Sequence, residues 1–212
     1  MKKSYKKNVN IYLVIFLLLS LCISYLAVAK TDTPEMKTKA VFGQIESALL
    51  ILKSNNQFTK SNIRSVLTQY LLPEVDIQYF SYKVINQNLP KLSAELRTEF
   101  VTELSNQLIN TYTNLLSKYS GESMTIGTGS LSKSGKMSMV NITITGESKV
   151  NKAVVKLLIS KEGTWQFFDI IIEGISLLDA KQKEINSSFS KLGVEGTLLH
   201  LKSINQRSLT SL

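Results

Sequence analysis

The stretch Thr164-Trp165-Gln166-Phe167-Phe168-Asp169-Ile170-Ile171-Ile172-Glu173-Gly174-Ile175-Ser176-Leu177-Leu178 decides the fold. It follows the turn Lys161-Glu162-Gly163. Its density of aromatic and β-branched residues predicts a strand buried on both faces for most of its length. The strand is expected to end at Glu173-Gly174, where glycine permits a backbone angle that a larger residue resists. Ser176 then suits the cap of a helix starting at Leu177. A buried strand thus turns sharply into the helix that closes the protein.

Working upstream, three more strands are expected at hairpin spacing, over about 122–131, 136–146 and 150–160, with the opening stretch as the fourth, 164–173. Ser134-Gly135 and Glu162-Gly163 supply turn chemistry at two of the three connections. Val140, Ile142 and Ile144 alternate with Asn141, Thr143 and Thr145, and Ala153, Val155, Leu157 and Ile159 alternate with a mixed set. One face of the sheet is therefore apolar and covered. Before Gly121 the period is helical. Val41, Ile45, Ala48, Leu49 and Leu52 stripe a helix over Met36–Leu52, and Thr59 caps a second bearing Ile63, Val66, Leu67, Tyr70 and Leu71. Pro73 breaks that helix and suits the first turn of a third, from Glu74 to about Asn86. Ser93 opens a long fourth helix running to about Tyr119. Its apolar residues Leu96, Phe100, Leu104, Leu108 and Tyr112 recur every four positions, so the stripe drifts and meets neighbours on more than one side. Two helices hinged at Gly193 to Gly196 finish the chain. The sum is one α+β domain over residues 30–212.

The other end reads as a targeting segment. Lys2, Lys3, Lys6 and Lys7 precede an apolar run from Ile11 to Ala29, and Ala27-Val28-Ala29 fits a signal-peptidase site, so residues 1–29 are expected to be a cleaved leader. The alternative is an uncleaved anchor, since the run is long enough to span a bilayer. Cys22 is the single cysteine and leaves with the leader. Cleavage lowers the formal net charge from +9 to +5, because four lysines and no acids are removed. Among the cations only Arg64, Arg97 and Arg207 are arginines, and the lysines are scattered. Base-reading sites favour the bidentate arginine fork, so no nucleic-acid partner is expected. A solvated basic surface, or weak attraction to anionic membranes, fits better.

Catalytic signals are sparse. His200 is the single histidine, on an amphipathic helix among Leu198, Leu199 and Leu201, which leaves a transition metal little to bind. Gly127-Thr128-Gly129 lacks the third glycine and following helix of a nucleotide loop, and no Gly-x-Ser-x-Gly elbow exists. Asp169 and Glu173 stand out, because a carboxylate on an apolar strand is expensive unless paired or exposed. A buried cap at Asp169 and a turn-fixing role for Glu173 are the expectation. The competing reading is a general base in a small enzyme, at Asp169 or Asp76. Met124, Met137 and Met139 are expected to be packing residues.

The order Trp165, Phe167-Phe168, Asp169 and then Glu173-Gly174-Ile175-Ser176-Leu177 resembles the signature of the MlaC/toluene-tolerance family of periplasmic phospholipid-binding proteins. Phe189-Ser190-Lys191-Leu192-Gly193-Val194-Glu195-Gly196-Thr197-Leu198-Leu199 is similar to that family's closing segment. Leu72-Pro73-Glu74-Val75-Asp76, and the helix from Glu99-Phe100-Val101 through Tyr112 to Leu116 and Tyr119, fall where the family has matching elements. The chain departs from the pattern at Asn86 and Leu89, where Gly and Trp are common, and at Lys181-Gln182, where Tyr-Arg is common. The resemblance implies helices wrapped around a curved four-stranded antiparallel sheet, related to the nuclear-transport-factor-like cone, with an apolar pocket between the layers. It also implies a soluble, monomeric periplasmic shuttle with neither catalysis nor cofactor. Such a shuttle exchanges a glycerophospholipid between an outer-membrane lipoprotein complex and an inner-membrane ABC transporter assembly. The acyl pocket is expected on Tyr79, Tyr82, Tyr112 and Leu116 from the helices, and on Val140, Ile142, Val155, Leu157, Phe168, Ile170 and Ile172 from the sheet.

Overall fold

A computed structural model describes residues 32–210; the expected leader, with Cys22, lies outside the described residues. Helix α1 (Pro34–Ser54) begins two residues before the expected Met36, because Thr33 accepts the Met36 N–H at 3.2 Å and Pro34 fits the first turn. Thr59 caps α2 (Lys60–Tyr70) through the Asn62 N–H, as the sequence predicts. The third helix corrects its expected start. Pro73 sits in a single 3-10 turn, Leu72–Glu74, and α3 (Ile77–Ile85) starts only where the Asp76 carboxylate accepts the Tyr79 N–H at 2.8 Å. The intervening chain is held against the sheet, with the Asp76 N–H donating to the Phe167 carbonyl at 2.9 Å. Ser93 caps α4 (Ala94–Leu116).

The four expected strands form as β1 (Ser123–Leu131), β2 (Met137–Thr145), β3 (Val150–Ile159) and β4 (Trp165–Ile172). A fifth, β5 (Ile175–Ser176), was not expected. Glu173 and Gly174 both take positive φ, 50° and 80°, the two-residue geometry that folds a strand back on itself. Ile175 and Ser176 therefore pair with Ile172 and Ile171 before the helix begins. The sheet is open and antiparallel, in the order β1-β2-β3-β4-β5. On its covered face Val140, Ile142, Ala153, Val155 and Leu157 are buried. Met137 and Met139, expected to pack, instead stand exposed. Their strand positions alternate with the buried Ser138 and Val140, so they point to the uncovered face.

Helix α5 (Leu177–Thr210) starts at the predicted Ser176 cap, whose hydroxyl accepts the Asp179 N–H at 3.0 Å. The expected hinge contracts to one residue, Gly193, with φ 70° and ψ −173°. Gly196 is needed for a different reason: a Cβ there would lie 2.9 Å from the Leu192 Cβ. α5 packs on α3, α4 and β4, while α1 packs on β1 and β2. Among the described residues no helix is long and apolar enough to cross a membrane.

Glu35 ties α1 to the sheet, accepting the Gly129 N–H at 2.8 Å. A side chain at Gly129 would collide with that carboxylate, and the strand bulges between Ile126 and Gly129. The Gly127-Thr128-Gly129 sequence is thus accounted for by a bulge and a close approach. Glu35 is held below the ordinary carboxylate range by its own backbone N–H, then the Thr33 hydroxyl, then Gly129. A depressed folded pKa stabilises above the ordinary value and is lost as pH falls through the lowered one. Glu35→Gln should therefore cost about 1 kcal/mol or less at neutral pH, with no difference from wild type in acid. Urea unfolding at both pH values checks this. A deficit that persists in acid contradicts it.

Candidate binding cavity

Three helical stripes stand off from the sheet and leave a cavity of about 1040 Å³, including its open side. Phe42, Ile45 and Leu49 of α1, and Leu108, Tyr112 and Leu116 of α4, face Ile144, Val155, Phe167, Phe168, Ile170 and Ile172 across it. Leu67, Leu71 and Val75 complete one wall, and Leu177 and Leu178 of α5 another. The four-residue drift on α4 is what builds it. Leu104 faces a neighbouring space only, Leu108 and Tyr112 border both, and Leu116 faces the main cavity.

Polar groups are confined to few places. At the rim stand Glu46, Tyr119 and Glu122. Lys53 lies over the Tyr119 and Phe58 rings at 4.9 and 5.1 Å. Burial, then the charges of Glu46 and Glu122, raise the Tyr119 hydroxyl above the usual phenol range. Glu122 is lowered chiefly by the Ser120 hydroxyl, at 2.7 Å. Inside, Tyr112 is surrounded by protein, and the part of its surface left open faces the cavity. Burial, then the Asp169 charge, push its hydroxyl far above the phenol range, so it stays neutral at physiological pH. Tyr112 thus brings a neutral hydroxyl donor to the lining of both spaces.

Both candidate bases are engaged. Asp76 caps α3. Asp169, with its side chain 1% exposed, accepts the Ser176 hydroxyl at 2.8 Å and the Leu178 N–H at 3.1 Å, and pairs with Lys156 at 3.0 Å. It joins the last long strand to the start of the closing helix. Glu173 accepts the Lys152 N–H at 3.2 Å beside the β4–β5 turn. His200 is exposed, and among the described residues no group of three or more His, Cys, Asp or Glu gathers.

Of the residues expected to line an acyl pocket, Tyr112, Leu116, Val155, Phe168, Ile170 and Ile172 are brought together around this cavity. Val140, Ile142 and Leu157 lie in the packed core away from it. Tyr79 stands behind the wall, edge-on to Phe168 with ring centroids 5.2 Å apart. Tyr82 is half-buried and accepts a hydrogen bond from Gln78 at 3.2 Å. Sequence reasoning missed Phe42, Ile45, Leu49, Leu67 and Phe167 as lining. Each belongs to a stripe or strand legible in the sequence, but nothing there separates a cavity wall from a packed layer.

The MlaC protein family profile matches residues 43–203. The intermembrane phospholipid transport system binding protein MlaC of Haemophilus influenzae is 23% identical over 188 residues, covering 85% of each chain. Among solved structures, the phospholipid-binding protein of Ralstonia solanacearum, in complex with a phospholipid, superposes with a TM-score of 0.74 at 15% identity. That match covers 82% of this chain and 98% of the other.

Proposed function

The chain belongs to the MlaC protein family, and from that membership we propose that it is a phospholipid-binding carrier. In this reading the apolar cavity holds the acyl chains of a glycerophospholipid. The observation that carries it is a space of about 1040 Å³, counted with its open side, lined mostly by aliphatic and aromatic side chains with Glu46, Glu122 and Asp169 the carboxylates among them. Each methylene withdrawn from water is worth about 0.8 kcal/mol, so two chains of about 15 carbons supply on the order of 20 kcal/mol gross. A bilayer already shelters those chains. A carrier therefore needs a cavity of comparable apolarity and a few orienting polar groups, and no reactive one.

The finer reading places the protein in the periplasm after removal of residues 1–29, as a monomeric shuttle that itself catalyses nothing. It exchanges lipid between an outer-membrane lipoprotein complex and an inner-membrane ABC transporter assembly. Supporting it are the basic and apolar start of the sequence and the name of the Haemophilus relative. N-terminal sequencing of exported protein tests the leader, and a start at Met1 sinks it.

Native mass spectrometry of the chain from Lys30, purified without detergent, tests the carrier. The expected result is one diacyl phospholipid per chain, recovered on extraction of the same sample. Protein that arrives empty and takes up no lipid from vesicles removes the function and leaves the fold.

A further inference from the structure

Behind Tyr112 lies a second space of about 610 Å³, counted with its open side, which shares Phe80, Leu108, Tyr112 and Leu177 with the main cavity. Its remaining wall includes Lys181 and Glu184, its only charged residues. We propose that this annex takes the phosphodiester of the bound lipid and that Lys181 is the residue that recognises it. The proposal rests on the carrier reading and adds to it the group that selects the ligand's polar end.

The Lys181 side chain is not a freely solvated surface lysine. It is 17% exposed, and its ammonium donates to Gln107 Oε1 at 3.2 Å and to Glu184 at 2.6 Å. Gln107 cannot turn away easily, because its amide donates to Asn205 Oδ1 at 2.9 Å. Asn205 is buried, accepts a second bond from Asn110 and donates to the Glu103 carbonyl at 3.0 Å and carboxylate at 2.6 Å. A chain of committed amides, Gln107 and Asn110 from α4 and Asn205 from the second half of α5, thus fixes the acceptor that aims Lys181. An ammonium has three donors, and these partners use two. The third remains for a ligand oxygen. Glu184, 48% exposed, can rotate into solvent and release a second. A lipid whose chains fill the main cavity reaches this ammonium by passing its glycerol along Phe80, Leu108, Tyr112 and Leu177, the residues common to both spaces.

The test measures loading from vesicles carrying either phosphatidylglycerol or a diacylglycerol with the same chains. Lys181→Gln should lower phosphatidylglycerol occupancy about tenfold, the range of a charge-assisted hydrogen bond, and leave diacylglycerol occupancy unchanged. Lys181→Arg should restore most of the loss. Glu184→Gln, which removes the competing carboxylate, should raise phosphatidylglycerol occupancy. Thermal unfolding of each empty variant separates these effects from misfolding. Equal phosphatidylglycerol loading by wild type and Lys181→Gln overturns the assignment while the carrier reading stands. Wild type that loads neither lipid overturns both. Inorganic phosphate titrated into the empty protein covers the other source. Heat on binding that disappears in Lys181→Gln, with lipid loading unaltered, marks a free-phosphate site and also overturns the proposal.

Discussion

Leu116→Trp is expected to cut phospholipid occupancy more than tenfold while leaving the protein folded. Leu116 is half-buried on the last turn of α4 and faces the main cavity, so a larger ring can extend into empty space. Overpacking a filled core commonly costs 1–3 kcal/mol, roughly, but a cavity wall has room to give. The ligand bears the change. If the indole excludes two or three methylenes from each chain, each leaves a shelter worth about 0.8 kcal/mol, and the summed loss exceeds the 1.4 kcal/mol of a tenfold change. Leu199→Trp, at an exposed position on α5 outside the cavity, is the matched control. Native mass spectrometry of both variants gives the occupancy, and thermal unfolding gives the stability. Full occupancy in Leu116→Trp means that the lipid lies elsewhere.

The strands were legible because alternation and turn residues coincide. Val140 and Ile142 alternate with polar partners between glycine-containing turns, and each strand end falls within a residue or two of its prediction. The fifth strand was hidden by Glu173, since a positive φ at a non-glycine residue leaves no mark in composition. The start of α3 was hidden by rivalry between two good signals. Pro73 and Asp76 both suit a helix opening, and a backbone bond to Phe167, distant in sequence, decides for Asp76. The cavity was legible only in part, because apolar periodicity reports burial without saying what buries. Val140 and Val155 are cross-strand partners and read alike. Yet α1 packs directly on β2, whereas the helices stand off near Val155. That difference arises between elements, where a single sequence carries no direct sign. The Lys181–Gln107–Asn205 chain was equally out of reach, since its members are separated by most of the C-terminal half.

Asp169→Ala is expected to destabilise the fold by about 3 kcal/mol, near the low end of the range for breaking a buried ion pair. Lys156 is 26% exposed and can turn its ammonium to water, so little of the loss comes from that charge. Most comes from the Ser176 hydroxyl and the Leu178 N–H, both buried and both left without their acceptor. For a chain of this size the loss corresponds to a fall in Tm on the order of 10 °C. Asp169→Asn keeps one acceptor oxygen and should lose roughly half as much. A cycle with Lys156→Met locates the energy. If the hydrogen bonds dominate, Lys156→Met costs little alone and recovers little in the Asp169→Ala background. Large recovery assigns the stability to the ion pair instead. The same cap fixes Leu177 and Leu178, which close one wall of the cavity. Asp169→Ala should therefore also weaken lipid retention well below its unfolding temperature. This couples the carboxylate to binding through the wall it holds, without requiring that it touch the ligand.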